Sequence, residues 1–253
     1  MINLIADLHT HSVASGHAFG TVEEMGRIAD AKGLKYLGIM DHGPALTGAP
    51  SEIYFKCSNL CPAKIGNTTI IFGCELNIID NDGAIDLTDR VAESLDFALI
   101  GFHHYTQYIP SSEEGNTKTL IKAIKKHPAI DAVAHIGNPA FKVNYVEVIK
   151  CLNDYNVLIE INNRSFLPDE RAARRGSKDN CLKVMDLCVK YNVRVIVSSD
   201  AHNQMQVGCF GYAREILENI GFPQDLILTA DEQKLKEFLD KVHPYKRPKE
   251  ILV

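Results

Sequence analysis

Short apolar runs alternate along the chain with longer stretches in which apolar residues recur at helical spacing. Seven short runs have the length and composition of β-strands: INLIADLH, KYLGIMDH, TIIFGCELNIID, FALIGFHH, IDAVAH, VLIEINN and VRVIVSSDAH. Helical patterns lie between many of them, as in TVEEMGRIADAKG, NTKTLIKAIKK, NYVEVIKCLNDYN and DNCLKVMDLCVKYN, and two more follow near 212–220 and 231–242. This alternation predicts an α/β fold with a parallel sheet and outer helices, arranged as either a closed barrel or an open doubly wound sheet.

Local signals refine the boundaries of some elements. Thr21 and Glu24 have the spacing of a capping box at the start of the first helix, and Gly33 marks its end. The NDG sequence at 81–83 predicts a hairpin turn after the third strand, whereas 43–66, rich in Pro, Ser and Asn, is expected to be irregular. No repeat or linker divides the chain, so we predict one domain over 1–253, with HPYKRPKEILV as a tail packed on it.

Composition and charge narrow the functional classes. At 253 residues, with 45% hydrophobic and 23% charged residues, the chain resembles an ordinary soluble protein. The net charge of −5 argues against nucleic acid as the main partner, because phosphate-backbone binding usually requires a basic face. No secretory signal or bilayer-length apolar run is present, so we expect a cytoplasmic protein with no membrane partner. The sequence makes no prediction of the oligomeric state.

The cysteines do not have the pattern of a disulfide framework. They number seven, an odd count, and are spread through the chain, which favours a reducing compartment. Cys57 and Cys61 are either half of a zinc site or two reduced thiols, and the lack of a second paired motif favours thiols.

Potential metal ligands concentrate at the carboxyl ends of the predicted strands. They are Asp7, His9, His11, Asp41, His42, Glu75, His103, His104, His135, Asn162, Asn163, Asp200 and His202. In a parallel β/α barrel these ends meet at one face, where such enzymes carry their chemistry. His9 and His11 lie two positions apart, so both rings project to the same side of the strand and can reach one ion. The mixture of imidazoles and carboxylates predicts a multinuclear site for Zn, Mn or Fe.

Eight motifs in this order resemble those of the PHP-domain metallophosphoesterases, and the chain is most similar to the YcdX-type phosphatases. The motifs are DLHTHS, MDHGP, GCELNI, GFHH, AHIGNP, EINNRSF, RGSKDN and SSDAH, and the resemblance covers nearly the whole chain. It implies a distorted (β/α)7 barrel that holds three divalent metal ions, most simply Zn, with Mn or Fe as alternatives.

Carried over residue by residue, the resemblance implies three ligand sets. The first ion would be held by His9, His11, Glu75 and Asp200; the second by His103 and His135, with Glu75 bridging; and the third by His17, His42 and His202. Two departures from the family pattern appear. His104 stands where an acidic residue is usual, and the stretch 168–174 is longer and richer in arginine.

The implied reaction is hydrolysis of small phosphomonoesters by a hydroxide that bridges the ions joined by Glu75. Glu75 and Asp200 are the predicted catalytic carboxylates, and His104 or a metal-bound water would protonate the leaving group. Asp7 and Asp41 are expected to accept ring N–H groups of ligand histidines, although a plain structural role is equally open for Asp41.

Substrate contacts are expected just after the sixth strand. There the sequence carries Arg164, Arg171, Arg174, Arg175 and Lys178. Guanidinium groups bind phosphate in a bidentate manner, and Arg164 is the first choice because it directly follows the strand end. Asn162 and Arg175 complete the predicted substrate-binding set.

Competing functions remain open at the level of sequence. A metal-dependent nuclease acting on DNA ends is the main alternative, because TatD-type deoxyribonucleases also use His-X-His, Glu, two His and Asp. His17, His42 and His202 have no counterpart in that pattern and favour a phosphatase. Amidohydrolases bridge their metals with a modified lysine, for which we find no candidate, and a storage module would need no open cluster beside a basic loop.

Overall fold

Seven parallel strands form the frame of the molecule in a computed structural model that describes residues 1–168 and 174–242. With one short additional strand, the strands are β1 Ala6–Thr10, β2 Tyr36–Ile39, β3 Lys64–Ile65, β4 Thr68–Asn77, β5 Phe97–Gly101, β6 Ala132–Val133, β7 Leu158–Asn162 and β8 Val195–Ser198. The order of the parallel strands in the sheet is β1-β2-β4-β5-β6-β7-β8. The additional strand, β3, pairs antiparallel with the first two residues of β4.

The sheet is nearly closed into a barrel. The backbone N–H of His11 donates to the carbonyl of Ala201 at 2.8 Å, and that of Asp200 donates to the carbonyl of His9 at 2.9 Å. These bonds join the chain at the end of β1 to the chain just beyond β8. The closed-barrel alternative is therefore correct, and the open doubly wound sheet is not. The arrangement confirms the distorted (β/α)7 barrel.

Eight α-helices cover the described part of the chain. The first begins as the sequence predicts, because the Thr21 side chain caps the Glu24 N–H and the Glu24 carboxylate accepts from the Thr21 N–H at 2.9 Å. The helices are α1 Val22–Ala31, α2 Glu52–Lys56, α3 Asp89–Ala92, α4 Glu113–Lys126, α5 Tyr145–Tyr155, α6 Ser177–Tyr191, α7 Gly211–Asn219 and α8 Glu232–Val242.

The segment 43–66 is more regular than its sequence predicts. It contains α2, a 3-10 turn at Ser58–Leu60 and the short β3. Ser51 is the N-cap residue of α2, and Ser58 and Asn59 lie within the 3-10 turn, so these residues do not prevent structure; Phe55 of α2 is fully buried. The NDG turn is confirmed, since Ile78 and Ile85 pair antiparallel across it.

The barrel interior is filled from below by α8. Leu235 and Phe238 of this helix belong to the same buried cluster as Leu8, Met40 and other side chains inside the barrel. Phe238 lies 6.4 Å, centroid to centroid, from Phe97, the first residue of β5. The helix therefore closes the amino end of the barrel, which leaves the carboxyl end open to solvent. The tail 243–253 predicted to pack on the domain lies outside the described residues.

Two further sequence expectations can be compared with the structure. Cys57 is exposed and Cys61 partly exposed, and the His, Cys, Asp and Glu clusters found among the described residues do not include them. No described helix combines the length and the apolar character that a membrane crossing requires.

Candidate metal centre

Nine side chains converge at the carboxyl end of the barrel, as the strand-end pattern predicts. These side chains lie at or just beyond the ends of β1, β2, β4, β5, β6 and β8 and in the loop after β1. The converging residues are His9, His11, His17, His42, Glu75, His103, His135, Asp200 and His202. Most of this set is buried, and His17 is the exposed member at the mouth.

Glu75 on β4 is the centre of this cluster. It is 1% exposed, and its two oxygens divide five histidine nitrogens between them. Oε2 lies 3.3 Å from His9 Nε2, 3.5 Å from His11 Nε2 and 2.9 Å from His42 Nδ1, and Oε1 lies 3.0 Å from His103 Nε2 and 2.7 Å from His135 Nε2. A carboxylate placed between two histidine groups in this way suits a ligand that bridges two cations.

Hydrogen bonds on the far side of the rings fix the tautomers of His9 and His11. His9 Nδ1 lies 2.5 Å from Glu160 Oε1, so this nitrogen carries a proton and donates it. His11 Nδ1 faces the Ser15 hydroxyl at 3.1 Å, and that hydroxyl donates to the Asp41 carboxylate, so it accepts from His11. The Nε2 atoms then present lone pairs, which is the form that binds metals.

Pairs of imidazole nitrogens approach each other closely inside the cluster. The Nε2 atoms of His9 and His11 are 3.0 Å apart, those of His103 and His135 3.2 Å, and those of His17 and His202 3.1 Å. His17 Nδ1 donates to the Ser15 carbonyl at 3.0 Å, which leaves a lone pair on its Nε2 as well. At this separation the two nitrogens of each pair share either a proton or a cation, and the buried carboxylates of Glu75 and Asp200 beside them favour a cation. The residues present therefore fit divalent metal ions.

His42 occupies a more central position than the three ligand sets imply. Its ring stacks on His11 with centroids 4.5 Å apart and on His17 at 5.2 Å. It can share an ion with His11 and His202 as well as with Glu75 and His103, because in each of these groups the ligand atoms lie within 4.8 Å of one another. The structure thus brings His42 between the predicted sites.

Asp200 and His135 adopt strained backbone conformations. Their φ angles are +56° and +31°, values that residues with a Cβ rarely adopt. Asp200 Oδ1 lies 3.3 Å from His11 Nε2, while Oδ2 accepts from Asn162 Nδ2 at 3.1 Å and from the Arg174 guanidinium. Strain of this kind is typical of functional sites, where the surrounding bonds hold the backbone in place.

The electrostatics keep the carboxylates charged and several imidazoles neutral. Burial would raise the pKa of Asp200, but Arg174 and His9 hold it well below its ordinary value; for Glu75 the histidines have the same effect. Burial lowers the pKa of His135 and of His202 to about 4. Burial would also lower the pKa of His9, but Glu160 and Glu75 hold it well above its ordinary value, so a metal ion at Nε2 would displace a proton from this ring. Charged carboxylates beside neutral imidazoles are the protonation states that metal binding requires.

The carboxylate that orients His9 is Glu160, which the sequence reasoning missed in favour of Asp7. Asp7 instead accepts from the N–H and hydroxyl of Ser199 and from the N–H of Gly208 at 2.8 Å, and so fixes the loop after β8. The reason is that Asp7 and His9 lie on the same strand, β1, whereas Nδ1 of His9 faces Glu160 on β7. A signal was present, because Glu160 is the one acidic residue within the apolar run VLIEINN.

Asp41 supports His11 indirectly. Its carboxylate accepts from the Ser12 N–H at 2.8 Å, the Ser12 hydroxyl at 2.7 Å, the Ser15 hydroxyl at 2.6 Å and the Tyr54 hydroxyl at 2.7 Å. It therefore contacts no ligand ring, and Ser15 carries the connection to His11. Of the two roles left open by the sequence, the structural one is correct.

A cavity of about 620 Å³ lies directly over the cluster. Arg164 lines it, with Nη1 2.7 Å from His202 Nδ1, and Arg174 lines it beside Asp200. His104 is exposed in the cavity wall.

The other predicted substrate contacts lie elsewhere. Asn162 is buried behind the ligands, where its amide donates to Glu160 and Asp200, and Arg175 is exposed and outside the cavity lining. Arg171 lies outside the described residues.

The closed parallel barrel and the imidazole–carboxylate cluster at its carboxyl end define the class of this protein as a β/α-barrel metalloenzyme. The model of the PHP domain matches residues 7–243, and the chain belongs to the PHP-domain family. A probable phosphatase of Clostridium botulinum (strain Langeland) is 41% identical over 235 residues, 93% of this chain and 94% of that protein. A probable phosphatase of Caldanaerobacter subterraneus subsp. tengcongensis is 40% identical over 241 residues, 95% of this chain and 92% of that protein. The chain is therefore an enzyme of the phosphatase class.

Solved structures share the fold. The histidinol phosphate phosphatase of Lactococcus lactis subsp. lactis Il1403, complexed with zinc, L-histidinol and phosphate, has a TM-score of 0.61 at 16% identity and covers 86% of this chain and 94% of its own. A chain of archaeal ribonuclease P has a TM-score of 0.58 at 14% identity and covers 94% of this chain and 90% of its own. At these identities the likeness concerns the barrel alone.

Proposed function

We propose that this protein hydrolyses small phosphomonoesters at a centre of three divalent metal ions. The observation that carries the proposal is the set of imidazole nitrogens that face each other at 3.0–3.2 Å around Glu75, at the floor of a cavity large enough for a small substrate. Zinc is our first choice of metal, because the Lactococcus structure of the same fold contains it.

The proposed ligand sets are those that the family resemblance implies, and the convergence of these side chains supports them. We assign His9, His11, Glu75 and Asp200 to the first ion, His103, His135 and Glu75 to the second, and His17, His42 and His202 to the third. When bound, the ions lower the pKa of a coordinated water toward neutrality and neutralise charge on the phosphate.

The protein's own groups position the ester. Arg164 is 39% exposed at its side chain and reaches the edge of the cluster at His202, where it can bind a phosphate oxygen. We add Arg174 to the predicted set in place of Arg175, because its guanidinium lies beside Asp200 and lines the cavity. His104, exposed in the cavity wall, can donate the proton to the leaving oxygen.

A substrate comparison tests the reaction class. The purified protein, loaded with Zn²⁺ or with Mn²⁺, is assayed for phosphate release from simple monoesters, for cleavage of bis(p-nitrophenyl) phosphate and for degradation of single-stranded DNA. We expect the monoesters to be hydrolysed with the highest kcat/KM. Degradation of DNA with no release from monoesters would establish the nuclease alternative instead.

A second experiment tests the number of ions. His17→Asn removes a ligand from the exposed third set, and His104→Asn is the matched control because His104 belongs to none of the sets. Elemental analysis is expected to give three ions per chain for the wild type and His104→Asn, and two for His17→Asn. Three ions in His17→Asn, or two in the wild type, would refute the trinuclear assignment.

A further inference from the structure

The cavity over the metal cluster has two unlike walls. One carries Arg164, Arg174 and the imidazole of His202, which suit an anionic phosphate. Another part of the lining is an aromatic wall that includes Phe102, His104, Tyr105 and Phe141, whose rings are neighbours. If the phosphate and its ions bind at the charged end, as the proposed function requires, the aromatic wall faces the remainder of the substrate.

The aromatic wall is continuous and rigid at its base. Phe102 stacks on Phe141 with centroids 5.5 Å apart and planes inclined by 10°, and both rings are buried. His104 lies 4.9 Å from Phe141, and Tyr105 lies 6.5 Å from His104 in an edge-on arrangement. The wall therefore extends from the chain beside the ligand His103 to the mouth of the cavity.

Tyr105 is held at that mouth in an unfavourable backbone conformation. Its φ is +65°, and its side chain is left 82% exposed. Its carbonyl accepts hydrogen bonds from both the N–H and the hydroxyl of Thr47, each at 3.2 Å. An exposed aromatic ring contributes little to the stability of the fold. Backbone strain that is maintained beside the cavity therefore indicates a role in binding.

The distance from the reacting centre restricts what such a ring can contact. Tyr105 is two residues beyond the ligand His103, so the two Cα atoms are at most about 7.6 Å apart. We therefore expect a ring joined to the phosphate through one or two atoms to reach this wall.

We propose that this wall selects monoesters whose leaving group carries an aromatic ring close to the phosphate, and that Tyr105 is a specificity-determining residue. The inference rests on the proposed function, since it names the substrate class of the same site. Aromatic rings stack favourably on aromatic side chains beyond the gain from buried area, and saturated rings do not.

Benzyl phosphate and cyclohexylmethyl phosphate provide the test. Both release a primary alcohol of nearly the same size, but the saturated ring is the more hydrophobic, so simple burial favours it and stacking favours benzyl. For the metal-loaded wild type we expect kcat/KM to be roughly 3- to 10-fold higher for benzyl phosphate.

Variants test whether the preference for benzyl phosphate comes from the ring of Tyr105. Tyr105→Leu keeps a side chain on the same strained backbone and is expected to bring the benzyl-to-cyclohexylmethyl ratio close to one, whereas Tyr105→Phe keeps the ratio. Tyr155→Leu replaces another exposed tyrosine, 48% exposed on α5 and outside the cavity lining, and keeps it as well.

Binding of the two matching phosphonates, measured by calorimetry, separates failure of this inference from failure of the proposed function. A wild-type ratio of one or below in both assays overturns the inference, as does a ratio that Tyr105→Leu leaves unchanged. If no monoester is hydrolysed but benzylphosphonate still binds more tightly through Tyr105, the selectivity is upheld and the proposed reaction is refuted.

Discussion

Replacing Glu160 by glutamine tests whether the residue behind the ligands controls metal affinity. The carboxylate is 3% exposed and accepts four hydrogen bonds. Oε1 accepts from His9 Nδ1 and from the Ser198 hydroxyl, and Oε2 accepts from the His135 N–H and from Asn162 Nδ2. All four partners are donors, so an amide NH₂ cannot replace either oxygen without facing donors.

The size of the effect follows from the tautomer of His9. If the glutamine nitrogen faces His9, the imidazole must present a lone pair to it and move its proton to Nε2, the nitrogen that faces Glu75. If the glutamine nitrogen faces His135 instead, the backbone N–H of His135 loses its hydrogen-bond acceptor. Loss of such an orienting partner typically lowers metal affinity 10- to 100-fold, which corresponds to about 1.4–2.8 kcal/mol.

The assay is competition for Zn²⁺ against a chelator of known affinity, with the ions per chain counted at saturation. Asp96→Asn is the matched control, because Asp96 is also buried and accepts from a backbone N–H, that of Phe72, but lies at the opposite end of the barrel. We expect the control to bind Zn²⁺ as the wild type does. An unchanged affinity in Glu160→Gln would show that the ligand geometry does not depend on this carboxylate.

Four further outcomes are expected. Thr21→Ala removes the α1 cap and should lower the free energy of unfolding in urea by about 0.5–2 kcal/mol. Gly38→Ala should cost about 1–3 kcal/mol or more, because its Cβ would lie 2.7 Å from the Leu8 backbone, and thermal unfolding would show this. In the native protein iodoacetamide should modify exposed Cys57 but not Cys181, whose pKa burial raises to about 12; mass spectrometry distinguishes them. Chelation of metal supplied at about 100 Kd should remove about 2.7 kcal/mol of stability for each independent site, seen as a lower Tm in calorimetry.

The strand ends could be predicted from the sequence because two local patterns coincide there. Apolar runs such as VRVIVSSDAH give the strand, and the polar residues that end them give its position in a barrel. His9 and His11 are an example, since their spacing alone placed both rings on one side of β1. The loop that carries His17 has no such periodicity, and the family resemblance was needed to assign it.

Residues that act behind the ligands were harder to predict. Glu160 and Asp7 are both acidic residues in apolar strands, and sequence proximity favoured Asp7 as the partner of His9. In the barrel, however, the partner comes from β7, 151 positions away in the chain. A contact between distant strands depends on the curvature of the whole sheet, which no local pattern encodes.

Arg174 and Arg175 show that substrate contacts were equally hard to predict from the sequence. Arg174 is 16% exposed at its side chain, because Asp200 binds one edge of its guanidinium while the residue also lines the cavity. Arg175, one position on, is exposed and outside the lining. A turn ahead of α6 gives adjacent side chains opposite directions, and its sequence, RRGSK, has no periodicity from which these directions follow. Arg174 therefore delivers positive charge to the cavity because Asp200, a proposed metal ligand just beyond β8, holds it there.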